Sequence, residues 1–94
     1  MAIYIDSFNA SYRGMTMCHM VADTTEELLH MANQIGVNRR WIQDVGTPRE
    51  HFDICLSKKK KALALGAKQI TLHEMGEFLK QRYTAEKEVK NNGK

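Results

Sequence analysis

The sequence predicts a small single α/β domain: three to five short, mostly parallel strands with about three helices packed on the sheet. Three observations lead there. Apolar or alternating runs at Ile3-Tyr4-Ile5, Met15 to Val21 and His51 to Leu56 have the pattern of strands. Between and after them lie stripes at helical spacing, Leu28/Ala32/Ile35 and Leu72/Met75/Phe78/Leu79/Tyr83. Start and stop signals flank those stripes, in Asp23-Thr24-Thr25-Glu26-Glu27, Thr71-Leu72-His73-Glu74, Gly36 and Gly66.

Taken in order, Ile3 to Ile5 reads as a first strand ending at Asp6, and the polar stretch Ser7 to Gly14 as a loop. Met15 to Val21, apolar almost throughout, is a second strand expected to be buried on both faces. The first helix opens on one of two capping boxes, Asp23 with Glu26 or Thr24 with Glu27, and stops at Gly36. Arg40-Trp41-Ile42-Gln43 is short and β-prone and reads as a strand, followed by a loop from Asp44 to Glu50. Phe52, Ile54 and Leu56 then alternate with His51, Asp53 and Cys55. Ser57 is placed to cap a helix through Leu65, Lys68 to Ile70 is a last strand, and the Thr71–Glu74 box opens the final helix. Residues 1–85 form the domain, and the charged stretch 86–94 is expected to fray. Strands and helices in this order make an α/β protein. Parallel sheets bind ligands beyond the carboxyl ends of their strands, and Asp6, Asp23 and the His51/Asp53 segment fall at or near such ends.

The 94 residues, 43% hydrophobic and 27% charged, suit one globular core, and one proline and six glycines exclude a linker or low-complexity protein. The first residues read as neither signal peptide nor anchor, and no window approaches a membrane span, so no membrane partner is expected. Cys18 and Cys55 lie in apolar contexts and read as buried free thiols of a cytoplasmic protein. The net charge of +3 conceals an asymmetry: −3 over residues 1–56 and +6 over residues 57–94. A basic half suits a phosphate ligand or nucleic acid, and equally a solvated helical surface.

Four groups of residues carry candidate chemistry. Lys58 to Lys61 follow Ser57 in the first turns of a helix, where the backbone dipole disfavours cations and an anion is the natural resident. Four consecutive lysines span too much of the helix circumference for all to face one ligand, so Lys58 and at most one more join Ser57 there. Arg39 and Arg40 offer guanidinium forks to phosphate, and Trp41 an indole face to a base or to the core. His51 and Asp53 share a strand face, and His19 lies four residues before Asp23. Those imidazoles and carboxylates can form a general-base pair or bind a divalent metal, although N-capping alone also explains Asp23. His30 and His73 are expected to face water, and the six methionines to fill the core.

At His19-Met20-Val21-Ala22-Asp23-Thr24, Arg39-Arg40, His51-Phe52-Asp53 and Ala62-Leu63-Ala64-Leu65-Gly66-Ala67, the chain resembles an uncharacterised family of about ninety-residue proteins from bacteria and their phages. The family pattern is His-Leu-Val-Ser/Ala-Asp-Thr, an Arg-Arg pair, His-Tyr-Asp, a basic run and a Leu-Gly-Ala segment. Phe52 stands here where the tyrosine is usual. The resemblance implies that His19, Asp23, Arg39, Arg40, His51 and Asp53 belong to one site, and it implies no activity.

The leading expectation is a protein that binds a phosphate-bearing small molecule such as a nucleotide, without a cofactor, and sequesters it if phage-derived. In it Arg39, Arg40, Ser57 and Lys58 hold the phosphate, while Trp41, His51, Asp53 and His19 complete the pocket. One alternative is a metal-assisted phosphoesterase or nuclease using His19, Asp23, His51 and Asp53. Another is a nucleic-acid-binding or regulatory adaptor that uses the basic half. A homodimer that completes a shallow pocket is compatible with each.

Overall fold

In the computed structural model, which describes residues 2–8 and 10–92, the sheet is built around β3 (Met15–Ala22). Met20 lies opposite both Ile5 of β1 (Ile3–Ile5) and Phe52 of β4 (Phe52–Cys55), and Met17 opposite both Ala10 of β2 (Ala10–Tyr12) and Cys55. The strands β1 and β2 therefore run end to end along one edge of β3, with β4 along the other. All three pairings with β3 are antiparallel, and only β5 (Lys68–Gln69) joins β1 in parallel. The α/β class holds, but the sheet is mixed and not mostly parallel.

The correction originates in residues 7–14, read from sequence as a loop. They contain β2, which returns into β3 through Arg13 (φ 50°) and Gly14 (φ 78°). Two successive left-handed residues are what a two-residue hairpin needs to match strand twist. Arginine is an uncommon first partner for glycine in such a turn, so the hairpin signal was weak. Hairpin connections give antiparallel neighbours, and candidate ligands consequently lie on the sheet face instead of beyond its carboxyl edge.

Register sorts the side chains into two faces. Ile5, Met20 and Phe52, Cys18 and Ile54, and Ile3 and Ala22 share one face, and all are buried. The helix α1 (Thr25–Ile35) packs Leu28, Met31, Ala32 and Ile35 there, and α2 (Leu56–Ala64) adds Ala62. The other face carries Tyr4, Met17, His19, Asp53 and Cys55. At one end of it, Phe78 of α3 (Leu72–Asn92) meets Tyr4 with ring centroids 5.1 Å apart. Strand β3 is thus buried on both faces only near that end: Val21 is 1% exposed, and Met15 44%. Methionines divide similarly, with Met20, Met31 and Met75 in the core and Met15 and Met17 toward solvent.

Caps settle two of the sequence alternatives and overturn a third. Thr24, not Asp23, caps α1: its hydroxyl accepts from the Glu27 amide at 3.2 Å, and Gly36 closes the helix at φ 82°. Thr71 and Glu74 make the reciprocal box that opens α3. Ser57 caps nothing. It lies inside α2, whose N-cap is Cys55 with no side-chain bond, and its hydroxyl meets the Cys55 sulfur at 3.2 Å. The expected strand at Arg40–Gln43 is instead a 3-10 helix (Arg39–Trp41), because the Asn38 side chain accepts from the Arg40 amide at 3.0 Å. Only Gln43 bridges to a neighbour, His51. The stretch expected to fray continues α3 to Asn92, while residues 93–94 and the side chains beyond residue 85 lie outside the described ones.

Lys58, in the first turn of α2, has a structural reason. A Cβ placed on Gly36 would lie 3.1 Å from the Lys58 ammonium, so that cation sits over the C-terminus of α1. The last turn of α1 carries no basic residue of its own. Lys58 supplies from the neighbouring helix the positive charge that the carbonyl end of α1 favours. Among the described residues no helix is long and apolar enough to cross a membrane.

Candidate metal centre

His19 and Asp53 are register partners on β3 and β4, so their side chains leave the same face of the sheet side by side. His51, two residues before Asp53, is held on that face by the paired bonds between its backbone and Gln43. His19 Nε2 and His51 Nε2 lie 3.7 Å and 3.4 Å from Asp53 Oδ1, and the three atoms all fall within 4.8 Å of one another. The imidazole rings meet edge to face, with centroids 5.4 Å apart.

What the far side of each ring touches decides the chemistry. His51 Nδ1 is 2.6 Å from the carbonyl oxygen of Arg49. A carbonyl only accepts, so in the neutral ring Nδ1 carries the proton and Nε2 a lone pair. His19 Nδ1 is 2.7 Å from Asp6 Oδ2, a carboxylate that fixes the same tautomer. Asp6 is 1% exposed, and its other oxygen accepts from the amides of His19 (3.0 Å) and Phe8 (3.2 Å). Phe8 stacks on the His19 ring, 4.8 Å between centroids and 12° from parallel, which holds the ring plane. Gln43 Nε2 donates to Asp53 Oδ2 at 2.8 Å, leaving Oδ1 turned toward the imidazoles.

With both rings neutral, three electron-pair donors face one another across this gap, an arrangement that a cation placed between them would relieve. Metal–ligand bonds of 2.0–2.2 Å in tetrahedral geometry place ligand atoms roughly 3.3–3.6 Å apart, close to the two imidazole–carboxylate spacings of 3.7 and 3.4 Å here. Two imidazoles and one carboxylate suit zinc, iron(II) or manganese, and three protein ligands leave coordination positions open. Carboxylate or carbonyl partners on the remote ring nitrogens are the usual support for metal-binding histidines. The site adjoins a cavity of about 700 Å³ whose lining includes His19, Asp53, Gln43, Phe8, Met15 and Trp41.

The other sequence candidates lie elsewhere. Asp23 neighbours Tyr4, where burial first and the Asp23 carboxylate second push the phenol above its ordinary range. Arg39 lines a separate groove along α1, and Arg40 stacks its guanidinium on Trp41 at 4.9 Å. None of Arg39, Arg40, Ser57 or Lys58 is among the described residues that line the cavity beside His19 and Asp53; Trp41 is, and it is exposed, not in the core. Cys18 lies beside the cavity but is inert: its thiol donates to the Ile54 carbonyl at 3.5 Å, and burial pushes it up to about 11. Asp6 and Gln43 are absent from the sequence-derived set. Asp6 offered a faint signal, an acid ending an apolar strand, whereas Gln43 offered none.

A family model with the description "Protein of unknown function (DUF4031)" matches residues 3–82. No curated protein and no solved structure matches the chain.

Proposed function

Taking as premise that the chain belongs to this family of unknown function, we propose that the protein binds one divalent metal ion through His19 Nε2, His51 Nε2 and Asp53 Oδ1, and hydrolyses a phosphate-bearing small molecule in the adjoining cavity. The observation that carries this is the convergence of His19 Nε2, His51 Nε2 and Asp53 Oδ1, each fixed from behind by Asp6, the Arg49 carbonyl or Gln43. A metal in such a site polarises a phosphoryl oxygen and makes a bound water more acidic. The protein's own share is to present two neutral imidazoles and one carboxylate on a rigid sheet face, beside a cavity large enough for the substrate. In the reaction the water oxygen bonds to phosphorus and the bond to the alcohol oxygen breaks. The protons of water end on the alcohol and the phosphate.

The phosphate is thereby held by the metal and not by Arg39, Arg40, Ser57 and Lys58, which point to other tasks. Calorimetric titration of EDTA-treated protein with zinc, manganese and iron(II) tests the centre directly. One equivalent should bind, and His51→Ala and Asp53→Ala should each abolish binding while remaining folded. Protein that binds none of the three metals would remove the proposal. Turnover of phosphomonoesters and phosphodiesters by the metal-loaded protein, absent from His51→Ala, tests the reaction itself.

A further inference from the structure

We infer that the cavity beside the centre receives the flat aromatic part of the substrate against Trp41, making aromatic phosphoesters, nucleotides included, the preferred substrate class. The inference rests on the metal-assisted reading of the same site and adds what lies beyond the phosphate. Phe8, Met15 and Trp41 are 39%, 44% and 61% exposed, and all three line this one cavity. Isolated exposed apolar side chains are ordinary, but a set gathered around one concave site marks a ligand surface. A phosphate group alone would fill a small part of about 700 Å³. The remainder needs an occupant that is largely apolar and prefers aromatic neighbours.

Trp41 is held for that task by local structure. The Asn38 side chain caps the 3-10 helix through the Arg40 amide, and the Trp41 amide donates to the Asn38 carbonyl at 3.1 Å. Arg40 then lays its guanidinium on the indole at 4.9 Å, restricting the ring by a cation–π contact. An indole that is exposed yet restrained loses little entropy when a planar group stacks on it. Phe8 links this aromatic wall to the centre, because the same ring that lines the cavity stacks on His19. An aliphatic phosphoester would gain nothing comparable from the wall.

Trp41 is the only tryptophan in the chain, so its emission reports this site alone. Fluorescence titrations would compare a nucleoside monophosphate and p-nitrophenyl phosphate with glycerol phosphate, in metal-loaded and in EDTA-treated protein. Saturable quenching by the two aromatic esters and not by glycerol phosphate is expected, and the two aromatic arms separate a preference for a base from one for any flat ring. Calorimetry on Trp41→Ala should show the aromatic esters weakened about tenfold or more, with glycerol phosphate unchanged. Trp41 is exposed, so the variant keeps its core. Equal response to all three esters, or equal weakening of all three by Trp41→Ala, would overturn the inference while metal binding stood. Quenching by the aromatic esters in protein that binds no metal would keep the aromatic wall and remove the metal reading.

Discussion

The Asp6 carboxylate grips His19 at two points: Oδ1 accepts its backbone amide at 3.0 Å, and Oδ2 its ring Nδ1–H at 2.7 Å. Ring and strand are thereby fixed by one buried side chain. Asp6→Asn keeps the shape but offers one acceptor fewer, and an amide N–H facing Nδ1 favours the opposite tautomer. The His19 Nε2 would then carry a proton toward Asp53. Metal affinity should fall about 10- to 100-fold, read by calorimetry, with a circular-dichroism melt that stays cooperative. Unchanged affinity would detach Asp6 from the centre.

Metal should also stabilise the fold. At a free concentration one hundred times the dissociation constant, binding only the folded state adds about 2.7 kcal/mol. A rise in Tm with zinc, reversed by EDTA and absent in His51→Ala, is the expected result. The ligands bind as lone pairs, so acidification protonates them and the increment should shrink as pH falls.

The two thiols should behave oppositely. The Ser57 hydroxyl beside it holds the half-buried Cys55 below the usual thiol range, which raises its thiolate fraction at neutral pH. A thiol reagent at pH 7.5 should therefore label Cys55 in the native protein and Cys18 only on unfolding. Burial raises Cys18 from 9.0 to about 11, so its contribution to stability is complete below about pH 9 and is lost as pH rises toward 11. Melts of Cys18→Ala should start from a lower stability and show a flatter decline over that window.

Lys58 and Gly36 form a pair that urea unfolding can resolve. Lys58→Ala should cost about 0.3–1 kcal/mol, the value of a cation at a helix C-terminus, and lose it at high salt. Gly36→Ala should cost more, on the order of 1 kcal/mol or above, because φ 82° strains any side chain and the new methyl meets the ammonium 3.1 Å away. Neither change should alter metal binding.

The core was legible because it depends on local period. The alternation of Phe52 and Ile54, and the stripe of Leu28, Ala32 and Ile35, put inside residues that the structure buries. Leu56, expected to continue that alternation, instead opens α2 and is exposed, as are Leu72 and Tyr83 of the last stripe. The pairing of His51 with Asp53 was legible for the same reason, since residues two apart share a strand face. Strand direction was not, because it turned on a two-residue turn at Arg13-Gly14 with an unusual first member. Asp6 and Gln43 were hidden behind long-range pairings, of β1 with β3 and of Gln43 with His51, which no local pattern encodes. Lys58 of the lysine run also has a structural role that no local pattern shows. The dipole that Lys58 answers belongs to the neighbouring helix, not to its own.

The alternation on β4 that sends Phe52 and Ile54 into the core is also what aims Asp53 at His19. A slip of one residue between β3 and β4 would turn the two large apolar side chains to water and drive the carboxylate among Met20, Cys18 and Ile5. The core thus proofreads the site against that slip, because a pairing displaced by one residue misplaces the carboxylate and forfeits burial at the same moment. The residues that bury the sheet and those that carry the donor atoms are set by one register.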